Sequence, residues 1–177
     1  KAMFEMSQQS GQMDERELLQ QGIEEAVHLT GSEIGYLHFV NDDQETIQLY
    51  TWSADTLKHC TAVYEGHYPV SAAGVWADAV RLHCPVVHND YQNLPDRKGY
   101  PAGHAHLIRH LGVPIMEGDK VRVLLGVGNK PTDYDQSDEH ELQLIGDDLW
   151  RIVMRRRAEA ALAAAKEAAE QASRAKS

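Results

Sequence analysis

The run VRVLLGV at residues 121–127 restricts the fold more than any other feature, because it is apolar over its whole length. A short, continuously apolar run of this kind is typical of a strand buried in the middle of a sheet. Residues 106–116 form a second strand-like segment, and the turn residues Glu117, Gly118 and Asp119 separate the two. The sequence therefore predicts a hairpin whose second strand occupies a central position in the sheet.

The first part of the chain predicts a helix followed by another hairpin. Apolar residues recur at three- and four-residue steps across residues 13–30, which indicates an amphipathic helix, and Gly31 is a suitable stop. Residues 34–40 and 46–52 read as strands around an Asn-Asp-Asp turn. We predict these further elements: a connection at 53–57, a strand at 59–68, a helix at 71–83, a strand at 84–88 and an irregular loop at 89–105.

The last predicted element is a long helix that starts at Ser137, where Asp138 and Glu139 suit the positive end of the helix dipole. Its first half carries an apolar seam, whereas beyond Arg157 the composition is mostly Ala, Glu and Lys. Alanine buries little surface, so a lone helix here would be marginal, and pairing with a second copy would stabilise it. The alternative is a solvated, fraying helix.

This order of elements predicts an α+β fold with a mostly antiparallel sheet. We divide the chain into a lead-in at 1–13, a folded domain at 14–154 and a helical linker at 155–177. Both ends look cut from a longer chain.

The net charge of −10 makes a broad nucleic-acid or anionic-membrane surface unfavourable. Cys60 and Cys84 are too few for a disulfide framework, although a single bond between them stays possible. The sequence shows neither a signal peptide nor an apolar run of about 18 residues. We therefore expect a cytoplasmic domain that makes no membrane contact through this segment.

Residues 66–110 mix apolar bulk with hydrogen-bonding side chains more densely than the rest of the chain. Apolar walls with a few convergent polar groups are what a small-molecule pocket needs. We expect the aromatic and imidazole side chains of this stretch to converge around an enclosed cavity.

The segments GYLHFVNDD, LYTWS, YPVSAAGVW, PVVHNDY, KGYPAGH, IRHLGVPI and LLGVGNK, taken in this order, resemble a GAF domain. The resemblance covers about residues 17–156 and is closest to the bacterial and archaeal variant of sensor kinases and diguanylate cyclases. The tail EAALAAAKEAAEQASRAKS resembles the helix that leads into the phosphoacceptor module of hybrid sensor histidine kinases.

The resemblance implies a six-stranded antiparallel sheet, with the first and last helices on one face and the ligand cavity on the other. It further implies a homodimer through those helices, which passes the ligand state to a kinase module downstream, as in two-component signalling. Family members bind cyclic nucleotides, bilins, haem or small metabolites. This chain lacks the NKFDE signature of the cyclic-nucleotide members and an obvious phytochrome-type bilin-attachment cysteine.

Several residues are candidates for the lining of the cavity. Arg109 with one imidazole would match an anionic ligand such as a carboxylate. The side-chain amide of Asn89 could accept a hydrogen bond through its oxygen and donate one through its nitrogen. For the HNDY run the alternative is a turn in which Asn89 and Asp90 cap backbone groups, and for the aromatic residues it is a simple core. The candidate ligand-binding residues are Trp52, Tyr68, Trp76, His88, Asn89, Tyr100, His104, Arg109 and His110.

Haem is an alternative ligand, with Cys60 and His106 as the pair that would hold it. The alternative to haem binding is that Cys60 and Cys84 are two buried, inert thiols. The histidines at 104, 106 and 110 match no zinc pattern, and we predict no metal site. No nucleophile elbow, phosphate loop or HExxH is present, so we predict a regulatory domain without enzymatic activity. A third reading is an unliganded dimerisation domain whose cavity its own side chains fill.

Overall fold

The computed structural model describes residues 13–59, 68–95, 97–98 and 105–176, with the backbone alone at positions 58, 59 and 68. Within these ranges the helices are α1 (Glu15–Thr30), α2 (Ala54–His59), α3 (Asp78–Leu82) and α4 (Gln136–Ala175). The strands are β1 (Ile34–Val40), β2 (Thr46–Trp52), β3 (Tyr68–Pro69), β4 (Val86–His88), β5 (His110–Glu117) and β6 (Lys120–Gly128).

Helix α1 begins and ends where local chemistry dictates. The Asp14 side chain accepts from the backbone N–H of Glu17, and the Glu17 side chain accepts from that of Asp14, which forms a capping box. At the other end Gly31 has a φ of 65°, a left-handed conformation that glycine adopts without steric cost. The predicted helix and its stop are confirmed.

The strands form an antiparallel sheet in the order β3-β2-β1-β6-β5-β4. Five of them have three residues or more, whereas β3 is a two-residue pairing at the edge, where Tyr68 and Pro69 lie opposite Ile47 and Thr46. Six full strands are therefore corrected to five, with the sixth reduced to this short edge. Residue 59, where the third strand was predicted to begin, is the last residue of α2, and residues 60–67 lie outside the described residues.

Strand β6 has the central position predicted for it. It pairs with β1 from Gly128 to Val123 and with β5 from Gly128 to Lys120. Both faces of this strand are covered, since Val123, Leu125 and Val127 belong to one buried cluster and Val121 and Leu124 to the other. Its continuous apolarity follows from this double burial.

One face of the sheet, which we call the helix face, is covered by α1 and α4. Its core is almost wholly aliphatic, and fully buried leucines of both helices meet strand residues of β1, β5 and β6. Gly22 of α1 lets the two helices approach closely, since a Cβ there would lie 2.4 Å from Cδ1 of Leu149. The predicted placement of the first and last helices on one face is confirmed.

Helix α4 runs for 40 residues, and its first half is the part that packs on the sheet. Asp135 caps it by accepting from the backbone N–H groups of Ser137 and Asp138. The helix continues through Gly146. Glycine is needed there for the close contact with β5, because a Cβ would lie 2.3 Å from Cδ1 of Ile115. Residues 157–176 are exposed on all sides in the single chain.

The opposite face, which we call the site face, is covered by short elements at residues 70–82, which we call the covering segment. The predicted helix at 71–83 is instead two 3₁₀ turns, Val70–Ala72 and Val75–Ala77, followed by the five-residue α3. Gly74 separates the two turns with extended backbone, which an unbroken helix would not allow. The predicted connection at 53–57 is wrong, because α2 forms there with the Ser53 side chain accepting from Thr56.

Among residues 13–59, 68–95 and 105–176, none of the helices combines the length and the hydropathy that spanning a bilayer requires.

Candidate functional site

Strand β1 places two polar rings on the site face. Side chains alternate along a strand, so Tyr36 and His38 lie on the site face while Leu37 and Phe39 enter the core of the helix face. The two rings stack with centroids 4.8 Å apart and an interplanar angle of 24°. This pair is the floor of the candidate site.

Tyr36 joins β1 to β5 and to the covering segment by hydrogen bonds. Its hydroxyl donates to the carbonyl of Trp76 at 3.2 Å and lies 2.8 Å from Nε2 of His110. A phenol has a single proton, so an Nε2–H on His110 completes both bonds. Burial, and secondarily Tyr91, raises the pKa of Tyr36 well above its ordinary value. Tyr36 is therefore a neutral donor and acceptor at physiological pH.

His110 is fully buried and lies beside two rings of nearly the same orientation. Its ring plane makes an angle of 3° with that of Tyr36, at a centroid distance of 6.0 Å, and of 15° with that of His88, at 5.7 Å. The ring of Tyr91 meets it nearly edge-on at 5.9 Å. Stacked and edge-to-face rings at these distances attract each other beyond their area burial.

Two tryptophans enclose His38. The Trp76 ring stands nearly perpendicular to those of His38 and Tyr36, at 6.0 and 6.1 Å, and Trp52 meets His38 at 5.4 Å. Nδ1 of His38 accepts from the backbone N–H of Tyr50 at 3.3 Å. That bond fixes the imidazole orientation and leaves Nε2 as the nitrogen that carries the proton in the neutral ring.

His88 connects the stack to the covering segment. Its Nε2 lies 3.3 Å from the carbonyl of Val75 and 3.9 Å from a carboxylate oxygen of Asp78. Both partners belong to the residues that cover the site face, one in a 3₁₀ turn and the other at the start of α3. A change in this ring therefore reaches the covering segment directly.

Two strand glycines make room for the rings. A Cβ at Gly126 would lie 2.2 Å from Cζ of Tyr36, and a Cβ at Gly112 would lie 3.1 Å from Cε1 of His110. Glycine inside a strand often marks the close approach of another group. Here the approaching groups are the two hydrogen-bonded rings of the site.

The structure brings four of the predicted residues together: Trp52, Trp76, His88 and His110. Tyr100, His104 and Cys60 lie outside the described residues, as does the side chain of Tyr68. Because these predicted lining residues are not among the described ones, the enclosed cavity stays a prediction. The described rings pack against one another, at centroid distances between 4.8 and 6.1 Å.

Two other predicted residues are engaged away from the rings. Arg109 is directed at Asp133, with Nε 3.1 Å from Oδ1, and its Nη1 donates to the carbonyl of Lys130. Asn89 uses both ends of its amide on the backbone of Tyr134. Arg109 directly precedes β5, and its side chain is held by Asp133 and Lys130, apart from the ring of His110.

The haem pair is described only in part. His106 is exposed, between Ala105 and Leu107, which are both buried on the site face, and its carbonyl accepts from Asn129. Cys84 is exposed at the turn after α3. Within the described ranges, no three His, Cys, Asp or Glu side chains are grouped so that they could hold a metal ion.

The predicted ligand-binding residues do not include three members of the cluster: Tyr36, His38 and Tyr91. The first two carried a usable signal, since they alternate with apolar residues in a strand and therefore share one face. Tyr91 follows the HND run, and only its contact with His110 reveals its role. The neglected signal was polar rings at alternate positions of a buried strand.

Two grooves lie away from the ring cluster. One, of about 430 Å³, is on the helix face beside Phe39, Tyr50 and Trp150. The other, of about 360 Å³, lies between residues 73–81 of the covering segment and residues 95–98, where Arg81 and Lys98 donate to backbone carbonyls. The second groove adjoins the cover of the site, whereas the first is on the opposite side of the sheet.

Comparison with known proteins identifies relatives of the chain. The sequence model of the GAF domain family matches residues 12–154. A methyl sulfide methyltransferase-associated sensor of Methanosarcina acetivorans is 41% identical over 141 residues, which are 78% of this chain. The chain spans 14% of the length of that relative.

Solved structures with the same fold are more distant in sequence. The GAF domain of a phosphoenolpyruvate-protein phosphotransferase from Coxiella burnetii has a TM-score of 0.72 at 14% identity, over 90% of this chain and 95% of that one. The corresponding Acinetobacter domain has a TM-score of 0.71 at 16% identity, over 89% and 93%. A free methionine-R-sulfoxide reductase from Neisseria meningitidis, in complex with its substrate, has 0.68 at 14% identity, over 89% of both. These similarities concern the fold alone.

Proposed function

The chain belongs to the GAF domain family, and we propose that it is the small-molecule-sensing domain of a signal-transduction protein. The observation that carries the proposal is the cluster of seven aromatic and imidazole rings on the site face. A relative that shares 41% of its sequence over 141 residues is described as a sensor, which supports a sensory role here. The domain would regulate and not catalyse.

The chemistry of the cluster indicates the class of ligand. Tyr36, His38 and His110 carry hydrogen-bonding groups between flat apolar walls, which suit a small planar molecule with one or two polar atoms. Arg109 is paired with Asp133, so a carboxylate ligand would have to compete with that carboxylate for the cation. The ligand would replace part of the ring contacts below Trp76 and the segment at 93–105. Binding would thus shift the covering residues.

Helix α4 would carry the ligand state away from the domain. Its residues 157–176 are exposed, and Leu162 keeps 72% of its surface accessible, which favours a second copy of the chain as a partner. In this proposal α1 and α4 pair in a homodimer, and two-component signalling follows through a histidine kinase module further along the protein. A ligand shifts such an equilibrium only by its differential affinity for the two states.

The ligand proposal is tested by a thermal-shift screen of a metabolite library on the 177-residue chain, with native mass spectrometry of each hit. A bound compound raises the melting temperature in proportion to the logarithm of its concentration once it is in excess. Trp76→Ala and His110→Ala are expected to abolish the shift caused by the best hit. His140→Ala, which removes an exposed imidazole from α4, is the matched control and is expected to keep it.

Two results would count against this assignment. A hit whose shift survives both Trp76→Ala and His110→Ala binds elsewhere, and the groove beside Trp150 is then the first place to look. A library without any hit favours the alternative, an unliganded dimerisation and coupling domain whose rings form a permanent core.

Haem-based sensing is the second candidate, with Cys60 and His106 as the residues that would hold the group. The supporting observation is the exposed His106 between two residues buried on the site face. A thiolate and an imidazole are both known haem-binding side chains. We expect a Soret band after reconstitution that His106→Ala or Cys60→Ser weakens or shifts. Colourless wild-type protein would reject this candidate.

A further inference from the structure

We propose that Asn89 is the coupling residue between the site face and the output helix α4, through a two-point bond to Tyr134. This inference rests on the proposed sensory function, since it describes how a change at the site would reach the helix. The supporting contacts involve described residues alone, and they lie at the junction of β4, α1 and α4.

Asn89 holds the backbone of Tyr134 from both sides. Its Oδ1 accepts from the Tyr134 N–H at 2.8 Å, and its Nδ2 donates to the Tyr134 carbonyl at 3.1 Å. A side-chain amide that binds one residue through both backbone groups fixes the position and the orientation of that residue. The two positions are 45 residues apart in sequence, so the bond joins separate parts of the fold.

On its other side, Asn89 directly follows His88, whose ring stacks on His110 and contacts the cover at Val75. A ligand that displaces the His88 ring would rotate the end of β4. Because only one peptide unit separates the two residues, Asn89 would move with it.

Tyr134 passes the connection to both helices of the helix face. Its hydroxyl lies 2.7 Å from Oγ of Ser32, which in turn lies 2.7 Å from Oγ1 of Thr30 at the end of α1. The next residue, Asp135, caps α4 by accepting from Ser137 and Asp138. Displacement of Tyr134 would thus strain the α4 cap and the α1 terminus together.

Surrounding contacts make this junction stiff. Tyr134 is only 4% exposed, and its hydroxyl also accepts from the backbone N–H of Lys130. Lys130 reaches both carboxylate oxygens of Asp138 at 2.9 and 2.7 Å, in the first turn of α4. A stiff, buried network with discrete partners transmits a displacement, whereas a loose loop would absorb it.

The proposal is tested without a ligand, by a double-mutant cycle read through amide hydrogen exchange. His88→Ala is the perturbation at the site, and Asn89→Leu removes both ends of the coupling amide. Exchange is followed by NMR at Tyr134, Ser137 and Asp138 in the full 177-residue chain. Asn93→Leu is the matched control, because Asn93 is in the same loop and its amide donates to the nearby Asp90.

We expect Asn89→Leu to speed exchange of the Tyr134 amide about tenfold, since a hydrogen bond of ordinary strength is lost. With Asn89 present, His88→Ala is expected to speed exchange at Ser137 and Asp138 at least about threefold, and Asn93→Leu should leave that effect intact. In the Asn89→Leu background, His88→Ala should not speed exchange at those two amides any further. Such non-additivity is the signature of coupled residues.

Additive effects, or no effect of His88→Ala on the first turn of α4, would overturn the proposal. If circular dichroism shows that Asn89→Leu is unfolded, Asn89→Asp takes its place, since it keeps the acceptor for the Tyr134 N–H and loses the donor. Failure of the ligand screen with a non-additive cycle would reject the sensory proposal alone. A successful screen with an additive cycle would reject the coupling role alone.

Discussion

The two faces of the sheet are built from alternate residues of the same strands, yet they differ in chemistry. On the helix face, buried aliphatic side chains of α1 and α4 interlock with those of β1, β5 and β6. On the site face, rings that carry polar atoms stack below short helical turns. One strand can thus present aliphatic side chains on one side and hydrogen-bonding rings on the other, because its period of two separates them completely.

Both faces use glycine for close approach, but for different neighbours. On the helix face, Gly22 and Gly146 admit the aliphatic side chains of Leu149 and Ile115. On the site face, Gly126 admits the phenol of Tyr36. The first kind of contact maximises packing density, whereas the second positions a hydrogen-bonding group. Substitutions on the two faces should therefore have different consequences.

The largest expected effect is on the helix face. Leu149→Ala removes a side chain that is 1% exposed and is expected to reduce the free energy of unfolding by about 3 kcal/mol. Urea denaturation measures it. Leu144→Ala, on the same helix but 41% exposed, is the control and should cost less than about 0.5 kcal/mol. Equal losses at both positions would mean that α4 does not pack as described.

A smaller loss is expected on the site face. Gly126→Ala places a methyl group against the Tyr36 ring and should cost about 2 kcal/mol by overpacking. Gly112→Ala, with its nearest contact at 3.1 Å, should cost less. In a Tyr36→Ala background the penalty of Gly126→Ala should largely disappear, since the clashing ring is gone. A penalty that persists there would place its origin in the strand backbone and not in the ring.

Alkaline pH is expected to destabilise each face of the sheet through one buried tyrosine. Burial raises the pKa of Tyr134, on the helix face, to about 12, and raises that of Tyr36 well above its ordinary value. A raised pKa means that the folded protein holds a proton that the unfolded chain releases from about pH 10, so stability is lost above that pH. At pH 11 the raised pKa of Tyr134 should reduce the free energy of unfolding by about 1 kcal/mol.

Urea denaturation at pH 8 and pH 11 measures this loss. Tyr134→Phe should make it smaller, because the helix-face proton no longer contributes. Tyr36→Phe removes the site-face contribution in the same way. If Tyr134→Phe lost as much stability between these pH values as the wild type, the phenol of Tyr134 would not be the group responsible.

Elements with strong local signals could be predicted from the sequence to within a residue or two. The capping box of Asp14 and Glu17 and the left-handed Gly31 are local, so α1 was predicted with its end at Thr30. Strands β1 and β2 have the predicted bounds for the same reason. The covering segment at 70–82 was not predictable in this way, because its turns follow the rings beneath them and not its own periodicity.

The candidate site was predictable by residue type but not by direction. Trp76, His88 and His110 do meet, as the density of rings in residues 66–110 suggested. Asn89 and Arg109 were equally plausible by chemistry, and only the fold directs the first to Tyr134 and the second to Asp133. Their partners lie 24 to 45 residues away, beyond the range of any local pattern.

Sequence by itself determined the α+β class, the central β6 and the long α4, because periodicity and caps act over a few neighbouring residues. Tertiary structure alone decided which rings share the site face and that Asn89 would bind the backbone of Tyr134, just before α4. These outcomes depend on strand register and on contacts between distant segments, and a hydrogen bond forms only where the fold brings donor and acceptor to within about 3 Å.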